Sequence, residues 1–367
     1  MITPPIASAT RPWRAEENPG IEAKAGGAGA LAPMLLDFPW NSAYAQFPHL
    51  TFSYLMHHFR RIIFPIATLA IFSGTLSAAD TLELKQRWVV GKKYDQTIRT
   101  VETSSVSVGA QTMEESTSTT MEISQAVRAQ GDGNGKRMTL KYERVAMEKS
   151  MNGEKASFDS SKPDPGNDPQ GMAKIMGSAV GKELQILLTD KDDIIGIENY
   201  DDFIRQLGTS PVPGVNMASI FGKESIVQMM KGQELQSVPS HPVKPGDSWP
   251  FTMNVDMAGS GKVSIVGNYM LKGMADHDGN RVAEIFADAR ISMDFTGAQL
   301  AQFGMKVEGG SLKGTILFDP KLGIARLTQM TQTMTMTMRN PQNPSATLAI
   351  PVKRTVEMTL TKVQDLK

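Results

Sequence analysis

Of the chain's five histidines, only His241 and His277 lie beyond residue 79. A histidine beside a carboxylate can serve as a general base, and Asp276-His277-Asp278-Gly279 offers that pairing. Asp-Gly is also the chemistry of a tight hairpin tip, where a histidine is simply solvated, and His241 sits in a similar turn, Ser240-His241-Pro242. Asp190, Asp192 and Asp193, with Glu198, Asp201 and Asp202 close by, supply the hard oxygen donors that calcium prefers. An EF-hand loop takes ligands at its first, third and fifth positions and glycine at its sixth, and counting from Asp190 the fifth position is Ile194. These carboxylates therefore read as a hairpin turn followed by the acidic first turn of a helix. The 24 methionines could hold Cu(I) through their thioethers. Met334, Met336 and Met338, however, alternate along the chain instead of gathering with histidine. There is no Gly-x-Ser-x-Gly elbow, no His-Glu-x-x-His and no glycine-rich phosphate loop. No cofactor, no metal site and no enzymatic activity are expected.

The methionines lead to the elements that carry them. Thr331 to Met338 reads Thr-Gln-Thr-Met-Thr-Met-Thr-Met, a period of 2 that places methionines on one face of a strand and threonines on the other. Val356, Met358 and Leu360 repeat the alternation opposite Thr355, Glu357 and Thr359, after the Asn340-Pro341-Gln342-Asn343-Pro344 break. The two runs are expected to pair antiparallel through a long connection. Further strands are expected at 94–108, 111–127, 137–149, 183–189, 249–257, 262–273, 280–294 and 311–318. Turn chemistry at Gly131–Gly135, Asn152-Gly153, Asp278-Gly279-Asn280 and Asp319–Gly323 separates many of them.

Helical spacing appears only mid-chain. Asp168 and Pro169 suit a helix start, with Met172, Ile175, Met176 and Ala179 as its apolar stripe and Gly181 as its stop. Tyr200, Phe203, Ile204 and Leu207 follow Asn199 and end at Gly208. A weaker third stripe runs through 216–231. The order predicts an α+β fold, mainly antiparallel β-sheet, as a curved sheet or half-barrel with two or three short helices packed on one face. Glycine three residues before an aromatic in both Gly91–Tyr94 and Gly246–Trp249 leaves open two related halves, about 80–208 and 240–367, joined by a helical segment.

Composition narrows the setting. Met56 is followed by basic residues, an apolar run from Ile62 to Leu76, and Ser77-Ala78-Ala79 before Asp80, the three parts of a secretory signal peptide. Cleavage is expected between Ala79 and Asp80, residues 1–55 read as spurious upstream translation, and 80–367 as the mature β-rich domain. A periplasmic or secreted location follows. The 38 basic and 38 acidic residues cancel, which leaves no basic field for nucleic acid. The chain has no cysteine, so neither disulfides nor a lipidated cysteine anchor is available. No stable membrane span is expected after cleavage.

Gly91-Lys92-Lys93-Tyr94, Leu140–Val145 before Phe158-Asp159-Ser160, the Gly181–Asn199 hairpin and Val243–Trp249 together resemble a family of uncharacterised exported bacterial proteins, a domain of unknown function. That resemblance implies no catalytic residues. A looser, architectural likeness is to periplasmic lipoprotein carriers and lipid-binding half-barrels, in which a curved sheet wraps a hydrophobic cavity. The expected function is accordingly non-enzymatic binding of a hydrophobic ligand or a cell-envelope partner, with Met334, Met336, Met338, Val356, Met358 and Leu360 lining the site. The alternatives are a structural or assembly protein of the envelope, or an enzyme with no recognisable motif.

Overall fold

Period-2 patterning dominates the chain, and strands dominate the computed structural model. It describes residues 81–366 apart from 109–110, 132–134, 167–170, 210–216, 218–220, 224–225, 228–229, 231–237, 240, 257–260, 296–303 and 341–342. The signal segment and its Ala79–Asp80 junction lie outside these residues, as do Asp168 and Pro169.

The elements run β1 (Lys92–Val108), β2 (Gln111–Ala129), β3 (Lys136–Met151), β4 (Glu154–Asp159), α1 (Met172–Gly177), β5 (Glu183–Leu188), β6 (Ile194–Ile197), α2 (Tyr200–Leu207), β7 (Ser248–Asp256), β8 (Gly261–His277), β9 (Asn280–Phe295), β10 (Lys306–Asp319), β11 (Ile324–Asn340) and β12 (Asn343–Asp365). All twelve strands join one sheet in the order β6-β5-β3-β2-β1-β12-β11-β10-β9-β8-β7, with β4 beside β3. Every strand pairing is antiparallel. The architecture is thus a mostly antiparallel, open curved sheet with two helices among the described residues.

The long hairpins close where the turn chemistry demanded. Asp278 and Gly279 both adopt positive φ, 49° and 72°, the conformation of a two-residue hairpin turn between the paired His277 and Asn280. Asn152 and Gly153 do the same between β3 and β4, with φ of 51° and 88°. At the β10–β11 turn, the Asp319 carboxylate accepts hydrogen bonds from the amides of Lys321 and Leu322 and from Nε of Arg326, the last at 2.7 Å.

Two expectations need correcting, and one strand was not expected. The connection between the two alternating runs is short: Asn340 pairs with Asn343, and β12 continues unbroken for 23 residues. Its prolines are tolerated because Pro351 lies past the last pair with β1, Ser104↔Val352, where the strand has a free edge. The first helix ends at Gly177 instead of Gly181; the chain beyond it turns so that the Gly181 amide donates to the Tyr142 carbonyl, 2.8 Å away. Finally, β4 carries no period, since Glu154 to Ser157 offers only alanine among polar residues. It becomes a strand because β5 covers only Lys136–Lys141 of β3, leaving Ala146–Met151 to be paired.

Asn199 leads into α2 as expected but does not cap it. Its side-chain amide donates to the Glu183 carbonyl and its oxygen accepts from the Gln185 amide at 2.9 and 2.7 Å, tying the helix to β5.

Among the described residues, two large apolar clusters and a small one of Met147, Phe158 and Ala173 hold the sheet. One large cluster gathers Trp249, Phe251, Tyr269, Ile285, Phe318, Met334 and neighbours from β7 to β12. The other gathers Trp88, Tyr94, Ile123, Leu140, Tyr142 and Leu184 with Ile175 of α1 and Phe203 of α2. Register shows that they occupy the same face. Directly paired residues share a face, and Val145, Met121, Ile98, Met358, Thr328, Ile316, Ile285 and Leu271 form an unbroken chain of partners across eight strands. We call this the inner face.

Candidate functional site

The inner face is built by alternation, and its most unusual region lies along β11 and β12. Met334, Met336 and Met338 pair with Val352, Ile350 and Leu348, and Met336 also faces Val307 of β10. The three methionines are buried, together with Ile350, Met293 and Met305. The Thr333, Thr335 and Thr337 side chains point the other way and are half-buried or exposed. All six residues expected to line a site lie on the inner face, but not in one place. The three methionines belong to the β7–β12 cluster, Leu360 packs against the cluster of β1–β5, and Val356 and Met358 lie between.

Beside the methionine block a row of polar and charged side chains crosses the inner face. Gln332, Arg354, Glu102, Thr117 and Lys149 are successive register partners on β11, β12, β1, β2 and β3. At about 4.8 Å between strands the row spans about 19 Å. Arg354 and Gln332 are buried, at 7 % and 8 % exposure. The Arg354 Nε lies 3.3 Å from the Glu102 carboxylate, an ion-pair distance without hydrogen-bond geometry. Lys149 pairs with Glu115, one inward-facing position along β2, at 2.5 Å, with both side chains 15 % exposed. The sign therefore alternates along the row, Arg354 positive, Glu102 negative and Lys149 positive, with Glu115 beside the row pairing Lys149.

Composition and motif searching do not reveal this row, yet the sequence carries its signal. In Val352-x-Arg354-x-Val356-x-Met358 an arginine occupies an apolar phase position, and in Met330-x-Gln332-x-Met334 a glutamine does the same. A polar residue in the buried phase of an otherwise regular strand needs a partner, and the partner is on another strand.

Directly behind the row, the outer face carries Ser150, Ser116, Thr103, Lys353 and Thr333 as their own line of partners. They border an open groove of about 1080 Å³ that Glu115, Met334 and Val352 of the inner face also line.

The other sequence candidates take structural places. His241 is exposed in its turn. His277 lies at the β8–β9 tip, 3.6 Å from Asp278. Asp190 accepts from the Gly135 amide, Asp193 from the Thr189 hydroxyl, and Asp192 pairs with Lys136 at 2.7 Å. Burial pushes the Asp192 carboxyl upward against the pull of that lysine. Asp159, by contrast, is held well below the usual carboxylate range by two hydrogen bonds from Arg144, reinforced by Ser161.

A family model described as a family of unknown function (DUF6263) matches residues 133–325, more than half of the chain. The chain belongs to this family. The DUF6263 match takes in β3 through β10 and four of the segments on which the resemblance rested, Leu140–Val145, Phe158–Ser160, Gly181–Asn199 and Val243–Trp249. Glu102, Gln332 and Arg354 fall outside the matched span. No curated protein matches the chain. Among solved structures, this DUF6263 chain is similar to lipovitellin, in a structure concerned with lipid–protein interactions, at 11 % identity and a TM-score of 0.42 over 77 % of this chain and 26 % of that one. It thus spans about a quarter of the lipovitellin chain. It is also similar to a putative outer membrane lipoprotein-sorting protein domain from Vibrio parahaemolyticus, at 9 % identity and a TM-score of 0.13 over 74 % of this chain and 85 % of that one. At these scores neither likeness bears on function, which is argued from geometry alone. Among the described residues, no helix is long and apolar enough to cross a membrane.

Proposed function

We propose that this DUF6263 protein is an exported, non-enzymatic protein that binds a hydrophobic ligand on the inner face of its β7–β12 wing. The observation that carries the reading is the register-matched block of Met334, Met336 and Met338 against Val352, Ile350 and Leu348. Methionine is unbranched and polarizable, so a surface built from it adapts to apolar partners of varied shape. A core needing only to be filled is better specified by leucine, isoleucine and valine, whose rotamers are fewer. The open groove of about 1080 Å³ that Met334 and Val352 help to line supports access to the edge of that block. The helices belong to the same reading as a cover over the inner face of the other wing, since Ile175 and Phe203 join the cluster of β1–β5. Export rests on the three-part signal over residues 56–79.

The test is native mass spectrometry of the full chain purified from its own host. The expected result is a co-purifying apolar ligand, removed by delipidation and re-bound afterwards. A chain that carries none, and takes up no hydrophobic dye after delipidation, would overturn the reading.

A second reading, an assembly protein of the envelope, is favoured by Ile195, which stands 61 % exposed on the edge strand β6. An edge strand presents unpaired backbone groups to a partner. Cross-linking in intact cells separates the two readings, because a carrier is recovered mostly free and an assembly component mostly in complex.

A further inference from the structure

The segment that leads into β1 alternates like a strand but has almost no ladder. Leu82 is half-buried and Leu84 and Trp88 are buried, while Thr81, Glu83, Lys85 and Arg87 are exposed. Among the described residues its one bridge pairs Leu82 with Val243, ahead of β7, through hydrogen bonds of 2.7 and 2.9 Å. Leu84 belongs to the β7–β12 cluster and Trp88 to the cluster of β1–β5. Consecutive amides then hook two different turns. The Arg87 amide donates to the Gly323 carbonyl of the β10–β11 turn at 2.9 Å, and the Arg87 guanidinium donates to the carbonyls of Pro320 and Lys321 in the same turn. The Trp88 amide donates to the Asp192 carboxylate of the β5–β6 turn. Along the sheet β11 and β5 stand five strand spacings apart, about 24 Å, whereas neighbouring Cα atoms are about 3.8 Å apart. One dipeptide bonds both turns only because the sheet curls its two wings together at this end. Leu322 and Ile324, beside the β10–β11 turn, join the cluster of β1–β5 for the same reason.

In this curled state the methionine block is shut, with Met334, Met336 and Met338 at 7, 2 and 3 % exposure. An apolar ligand reaches all three only when the wings spread. We propose that residues 82–89 are a releasable tie that holds the open sheet curled, and that freeing the tie spreads the inner face to admit the ligand. The tie itself stands on the two hooks; the admission of a ligand rests on the reading of that face as a ligand site. Burial of Leu84 and Trp88 makes the docked tie the resting state. Release is within reach because a segment with so few backbone bonds opens ahead of the ladders around it. The guanidinium bonds of Arg87 are exposed, so water replaces them readily. Trp88 Nε1 is buried without a hydrogen bond among the described residues, a cost that the docked tie bears and the free one does not.

The chain has no cysteine, so K191C/K321C puts one label site on each hooked turn, at exposed residues. Double electron–electron resonance on the full chain with nitroxides at both sites is expected to give a single short distance. Adding R87A/D192G removes the guanidinium bonds and the acceptor of the Trp88 amide, and glycine suits the φ of 73° at position 192. The distance is then expected to lengthen by about 10 Å, two strand spacings. Uptake of the hydrophobic dye bis-ANS is followed on the same cysteine pair, either joined by a short bismaleimide or capped with N-ethylmaleimide. The joined protein is expected to take up dye at least fivefold more slowly than the capped one, and R87A/D192G at least fivefold faster. An unchanged distance in R87A/D192G overturns the tie. Should that variant fail to fold, the joined and capped forms of its parent decide, and equal uptake by the two overturns the gating. A lengthened distance with no dye taken up by any form leaves the tie standing and overturns the ligand site.

Discussion

Arg354 and Glu102 are direct partners across the β1–β12 ladder, and the arginine side chain is only 8 % exposed where its Nε meets the Glu102 carboxylate at 3.3 Å. Glu102 is what makes the buried arginine tolerable in that place. Removing the glutamate alone leaves Arg354 a buried, uncompensated ion, whereas removing both leaves none. E102A is therefore expected to lower the unfolding free energy by about 3 kcal/mol, and R354M/E102L to recover most of it. Urea unfolding of the two single variants and the double variant measures the coupling; additive losses would show that the pair is not a unit.

The alternation along β11 makes a second prediction. Met336 is 2 % exposed, while Thr335 on the opposite face is half-buried. M336A is expected to cost about 2–4 kcal/mol through lost burial and a residual cavity. M336L, close in volume, costs under about 1.5 kcal/mol, and T335A stays within about 0.5 kcal/mol. Denaturant midpoints at constant m-value check the order; a Thr335 effect as large as that of Met336 would contradict the assignment of faces.

Gly323 fixes how the segment before β1 docks. Its φ is 75° and a Cβ there would stand 2.2 Å from Arg87 Cγ and 2.9 Å from the Lys85 carbonyl oxygen. Its own carbonyl accepts the Arg87 amide at 2.9 Å. G323A is expected to destabilise by more than about 1 kcal/mol, since left-handed strain and close approach to backbone act together. Local hydrogen exchange at Arg87 should rise with it. Unchanged protection there would mean that the contact does not hold the segment.

Asp159 gives a pH dependence with a definite sign. Arg144 and Ser161 hold its folded carboxyl below the unfolded value of about 3.9. A depressed folded value contributes stability that is fully present above the unfolded one and disappears as pH falls through the range below it. The wild type is therefore expected to lose stability below about pH 4, and D159N to be less stable at neutral pH with a flatter acid profile. Thermal melts of both proteins between pH 2 and 7 test this. Parallel profiles would assign the acid loss to other carboxylates.

By itself the sequence determined most of the strand segments and, in the two regularly alternating runs, which side faces inward. Both follow from local rules: the period of 2 in Thr331–Met338, the positive-φ turn residues at Asp278-Gly279, and the stripe of Phe203 and Leu207 in α2. Locality is also where such reading ends. Whether the Asn340–Pro344 break is a long loop or a tight turn depends on β11 already being there to pair with Asn343. The strand β4 exists only because half of β3 lacks a partner. The methionines were legible as an apolar face, but Val356, Met358 and Leu360 were not separable from them, because the position of the second cluster depends on β1 pairing with β12 across more than two hundred residues. That same closure put Glu102 beside Arg354. Arg354 stands out in its own strand as an arginine in the apolar phase, but nothing there names its partner; only the register between the first strand and the last put Glu102 beside it.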